Sequence, residues 1–221
     1  MDSLQNDLTR GPIPRQLIVF SLPLMCANIL QLVYGTVDML VVSRLVGSTG
    51  LAAVSNGNRF GYLISSLCIG FSVGGTVIAA RYFATGDTRA QKETVGTLFC
   101  LSIMLAGLVT VLSLAVYRPL LSMMDVPAEA MPDAVAYTRI ICAGTVFVFG
   151  YNTICSVLRG FGNSRSPLYF VAIATVINIV LDIILVGPLD MGTQGAAVAT
   201  VISQGVSFGA AVRHLRAQLR L

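Results

Sequence analysis

Two aspartates, Asp38 and Asp182, stand inside stretches that are otherwise apolar. A charged side chain at the centre of a membrane helix costs about 2.5–3.5 kcal/mol on insertion scales, so such a residue faces a partner or a watery cavity. Both have polar neighbours at helical spacing. Tyr34 precedes Asp38 by four residues, Gln31 lies a further turn back, and Asn178 precedes Asp182 by four. Residues four apart share one face of a helix. Two carboxylates, an amide and a hydroxyl make an oxygen-rich set that suits a hard cation such as sodium. The same set suits a proton, because burial and a like-charged neighbour both favour a neutral carboxyl group. A competing reading pairs the aspartates with Arg59, Arg139 or the backbone of a helix end.

The elements that must position these groups follow from composition. Of 221 residues, 55% are hydrophobic and only 11% are charged. Soluble domains carry about a quarter charged residues. The chain therefore reads as an integral membrane protein. Disorder, a collagen-like fibre, a disulfide scaffold and a nucleic-acid module are excluded. Six runs approach the ~20 apolar residues that span a bilayer: residues 17–42, 58–80, 94–116, 134–158, 167–186 and 193–212. Lipid offers no partner to an open backbone, so the runs are helices. The expected fold is an all-α bundle of six transmembrane helices over 17–212, with an N-terminal segment 1–16 and a basic tail 213–221.

Charge sets the expected orientation. Arg10, Arg15, Arg81, Arg89, Lys92, Arg159, Arg165, Arg213, Arg216 and Arg220 fall on one side; Arg44, Arg59, Arg118 and Arg139 fall on the other. Ten against four places both termini in the cytoplasm. The net charge of +4 is small and scattered, which reads as topology rather than phosphate binding. Cys26, Cys68, Cys100, Cys142 and Cys155 all lie in apolar runs without a C-x-x-C pair, and read as buried hydrophobes. No cleavable leader is expected, because the first apolar run is too long and contains Asp38.

Depth brings the polar groups together. Asp38 and Asp182 each lie four residues before the outer end of their span, ~6 Å deep, and Thr200 lies ~10 Å in from the same face. The sequence also echoes itself. Ala52-Ala53-Val54 and Ala196-Ala197-Val198 fall at equal offsets from Asp38 and Asp182, so the first and last span pairs read as parallel repeats, a common plan in transporters.

Weaker signals compete with simple packing. Gly70-Phe71-Ser72-Val73-Gly74 fits the G-x-S-x-G hydrolase pattern. The one histidine, His214, sits beside Arg213 and near Arg216 at the cytoplasmic end, too shallow to serve Ser72 as a base. It reads as a solvated interfacial residue, and no enzyme is expected. Gly70/Gly74, Gly57/Gly61 and Gly205/Gly209 read instead as small-residue pairs that let helices approach.

Several stretches together resemble the multidrug and toxic compound extrusion (MATE) family. They are Leu22-Pro23 with Asn28, Gln31 and Val37-Asp38; Ala84-Thr85-Gly86-Asp87; Leu158-Arg159-Gly160-Phe161-Gly162-Asn163; Asn178 with Asp182; and Gly195-Ala196-Ala197-Val198-Ala199-Thr200. The resemblance implies one six-helix lobe of a plasma-membrane antiporter that exports drugs or organic cations in exchange for protons or sodium, with no other cofactor. It implies an ion or proton site at Asp38, Tyr34, Asn178, Asp182 and Thr200, with sodium, if bound, at Asp38, Asn178, Asp182 and Thr200. Gln31 and Asn152 are implied to line the substrate cavity. Full members have two lobes, so the partner is a second lobe or a second copy of this chain. A lipid-linked-precursor flippase of the same superfamily and a non-transporting membrane fragment are the alternatives.

Overall fold

The computed structural model describes residues 12–219, so Arg10, Arg220 and most of the 1–16 segment lie outside the described residues. Among the described residues, seven helices follow one another: α1 (Ile13–Leu45), α2 (Ser48–Thr85), α3 (Thr88–Met123), α4 (Met131–Ala143), α5 (Thr145–Gly160), α6 (Arg165–Val186) and α7 (Gly192–Leu219). Five are long and apolar enough to cross a membrane alone. The short pair α4 and α5, bent by 46°, makes the sixth span. The all-helical six-span reading therefore holds.

The helices outrun the apolar runs. With 38 residues, α2 is ~57 Å long, well beyond a ~30 Å hydrocarbon core. Its first turns, residues 48–57, precede the expected start at 58 because Gly47, at φ 94°, lets the chain reverse directly out of α1. The α2–α3 turn is written in the sequence. Gly86 adopts φ 70°, a left-handed conformation that suits glycine and ends α2. Asp87 then caps α3 by accepting from the Ala90 N–H at 3.0 Å.

The fourth span is broken, whereas the sequence reads as one run over 134–158. Gly144 is the break. A β-carbon there would stand 2.6 Å from Val201 Cγ2 of α7. Only a residue without a side chain lets α4 and α5 wrap that valine. Glycine also weakens helix continuity by about 1 kcal/mol relative to alanine.

Close helix contacts are made by other glycines than most of those the spacing suggested. A β-carbon added at Gly70, Gly74 or Gly209 would meet nothing within 4 Å, so these three face open surface. Gly61 and Gly205 make ordinary contacts. Gly57 is tight, as expected, against the Tyr137 ring. Gly150 meets Phe208, and a β-carbon at Gly160 would stand 2.8 Å from the Thr76 backbone oxygen. Spacing alone does not say which way a small residue points; here burial decides it.

α6 packs on α1 and α7, while α2 packs on α4 and α5. A buried polar seam joins α2 and α5: Ser156 Oγ donates to the Ser72 carbonyl and lies 2.8 Å from Thr76 Oγ1. Ser72 is thus a packed residue, its hydroxyl beside Cys68 Sγ at 4.0 Å. His214 is not freely solvated: its Nε2 lies 3.1 Å from Ser166 Oγ, and its ring meets the edge of Phe170. The reason is the α5–α6 turn, where Asn163 and Ser166 bond each other and present the hydroxyl to α7.

Candidate functional site

The site forms where five helices meet near the end carrying the α1–α2 turn. α1 contributes Tyr34 and Asp38 from one face, and α6 contributes Asn178 and Asp182 from one face. Asp38 is 2% exposed, while Asp182 and Asn178 are fully buried. Such burial is unusual for carboxylates, which are rarely buried without partners.

Thr200 of α7 joins the two pairs. The Tyr34 hydroxyl donates to Thr200 Oγ1 at 3.1 Å. With its amide nitrogen turned toward the carboxylate, Asn178 donates to Asp182 Oδ2 at 2.9 Å, and its oxygen accepts from the Thr200 N–H at 3.3 Å. The structure therefore brings together all five residues assigned to ion or proton binding.

Two further residues complete the cluster. Asn58 of α2 faces Asp38. Tyr137 of α4 donates to Asn58 Oδ1 at 2.7 Å and lies near Asp38, Tyr34, Asp182 and Thr200. The ring is held against Gly57, where an added β-carbon would collide with Tyr137 Cδ1. The sequence carried no signal for these two, because each joins through a helix packed across the bundle rather than through spacing along it.

The competing ion-pair reading fails. Neither aspartate bonds Arg59 or Arg139, and the ion pair formed among the described residues is the exposed Arg89–Glu93. Instead, Asp38 Oδ1 and Asp182 Oδ1 are both buried and accept no hydrogen bond. An unsatisfied buried acceptor costs about 1–3 kcal/mol, and more when charged. The two carboxylates also interact electrostatically with each other. A proton or a monovalent cation at this point would relieve both the repulsion and the unmet acceptors.

Gln31 and Asn152 stand apart from this cluster. Gln31 is exposed on α1. Asn152 is half-buried, and its amide donates to the Val148 carbonyl of its own helix at 2.8 Å.

The repeat closes the site on one side. Val42 and Val186, each one turn past an aspartate, share an apolar cluster with Val54, Ala196, Ala197 and Tyr137. Val54 of the first echoed segment and Ala196 and Ala197 of the second therefore belong to one apolar cluster beside the aspartates.

Known proteins resemble this chain in sequence and fold. The MatE family model matches residues 23–184. The chain is 31% identical over 205 residues to the probable multidrug resistance protein YpnP of Bacillus subtilis, covering 91% of this chain and 45% of that protein. It is 26% identical over 217 residues to the probable multidrug resistance protein NorM of Thermotoga maritima, covering 93% and 46%. A MATE crystal structure in the straight conformation superposes with a TM-score of 0.83 at 30% identity, covering 94% of this chain and 46% of that one. The chain thus spans about half the length of the curated relatives it matches. An all-helical six-span lobe and a family match over most of the chain agree: this protein belongs to the MatE family of transporters.

Proposed function

We propose that the chain forms one lobe of a secondary antiporter in the cell membrane, exporting a drug or organic cation in exchange for protons or sodium. Both termini face the cytoplasm in this reading, and a second six-helix lobe or a second copy completes the pathway. The supporting observation is the pair of buried carboxylates, each with one oxygen lacking a partner, ringed by Tyr34, Asn178 and Thr200. The cluster supplies oxygen ligands and a negative field, and among the described residues neither aspartate forms an ion pair with a basic side chain, so the coupling ion is its natural occupant.

In this mechanism Asp38 and Asp182 take up the ion from two different helices. Ion entry draws α1 and α6 together and removes their mutual repulsion. Its release restores the repulsion, and the two arrangements present different faces of α1 to the substrate cavity, where Gln31 stands. Alternating access needs a second bundle for the first to move against.

The test is coupled efflux in the complete assembly carrying Asp38→Asn or Asp182→Asn. Both variants reach the membrane at normal levels, and both lose ion-driven transport in vesicles. Normal drug resistance and normal ion-driven uptake in both would overturn the assignment.

A further inference from the structure

α2 and α3 follow one another across a tight turn and pack together. Between them lies a groove of about 200 Å³. Its floor is buried and includes Phe60, Ile64 and Ser113. Its rims, Leu63 and Leu67 on α2 and Val116 on α3, are exposed, so the groove opens sideways from the α2–α3 face of the lobe. Ser113 is the one lining residue with a polar side chain. A water occupies ~30 Å³ and needs two to four polar partners. The groove is large enough for several waters and offers almost nothing to bond them, so hydrocarbon suits it.

The groove has a charge at one end. Arg59 directly precedes Phe60 and lies one helical turn before Leu63, on the exposed rim. It makes no hydrogen bond or ion pair among the described residues. A guanidinium at the head of an apolar groove complements a phosphate with a chain attached, and it binds phosphate through two parallel N–H bonds. We propose that this groove is a binding site for one anionic phospholipid, with an acyl chain between α2 and α3 and its phosphate on Arg59. The site is separate from the carboxylate cluster and stands whether or not the antiport reading is correct.

A second arginine at the same end supplies the control. Arg118 of α3 lies two residues from both Val116 and Leu120, about 200° around the helix from each. It belongs to a different recess, with Ser122, Met131 and Val135. Losing its charge changes the surface field as much as losing that of Arg59, without touching the groove.

The chain contains no tryptophan, so a single one reports the site. Leu67→Trp places an indole on the rim ~12 Å along the helix from Arg59, at mid-chain depth. The full chain is reconstituted in phosphatidylcholine nanodiscs containing a small fraction of phosphatidylglycerol or phosphatidylcholine brominated in mid-chain. The brominated phosphatidylglycerol should quench with about fivefold higher apparent affinity, the effect of one cation near an anionic lipid. Arg59→Gln should abolish this preference and Arg118→Gln should keep it. Val116→Trp on the opposite rim should report the same preference, which covers failure of the first reporter to fold. Native mass spectrometry of the unsubstituted chain should retain phosphatidylglycerol, and soluble glycerol phosphate should not displace it. Equal quenching by the two lipids, equal losses in the two arginine variants, or displacement by glycerol phosphate would each overturn the proposal.

Discussion

Tyr34 donates to Thr200 Oγ1 at 3.1 Å, tying α1 to α7 across 166 positions of sequence. A hydrogen bond of this kind contributes about 0.5–1.5 kcal/mol net. Tyr34→Phe keeps the ring and removes only the hydroxyl. Thermal unfolding in mild detergent should show a loss of about 1 kcal/mol. The same variant in the complete transporter should weaken ion coupling more than it weakens folding, because Thr200 also holds Asn178.

The carboxylates should behave in the opposite way. A buried ionisable group placed for function is commonly a cost to folding. Asp182→Asn should leave thermal stability unchanged or raise it by ~1 kcal/mol, while abolishing coupled efflux. Combining it with Asp38→Asn should give a non-additive stability change, because the two groups interact directly. Strict additivity in a double-mutant cycle would show that they act apart.

Gly57 and Gly70 offer a matched comparison on one helix. Gly57→Ala forces a β-carbon against the Tyr137 ring and should cost about 1–3 kcal/mol. It should also disturb the Tyr137–Asn58 bond and so impair transport. Gly70→Ala meets open space and should be neutral or stabilising by up to ~1 kcal/mol. Unfolding midpoints of the two variants decide this.

Ser72 tests the absence of a nucleophile. Its carbonyl, rather than its hydroxyl, accepts from Ser156, so Ser72→Ala should match the wild type in both stability and transport. Ser72→Leu should lower stability by about 1–3 kcal/mol, because it overfills a buried position between α2 and α5. Fluorophosphonate labelling of the wild type, lost in the alanine variant, would contradict this.

The heart of the site is readable in the sequence because its chemistry is local. Asp38 and Tyr34, like Asp182 and Asn178, are four apart, and four-residue spacing fixes a shared helix face before any tertiary contact exists. Thr200 follows from depth in the span. Asn58 and Tyr137 are not readable, since their place depends on how α2 and α4 rotate against α1. The same limit applies to the glycines: Gly57 and Gly70 stand in similar G-x-x-x-G spacing, yet one faces a ring and the other faces open surface. The break at Gly144 is hidden for a further reason. Its cause, Val201, lies in another helix.

That break has a mechanical side. A straight rod can turn about its own axis without displacing its neighbours. A rod bent through 46° cannot, because turning either half swings the other sideways. The bent span is hemmed in by α2, α3 and α7, with Val201 lodged against the elbow. It therefore behaves as a cranked axle jammed in its housing, and whatever movement the lobe makes has to turn around it.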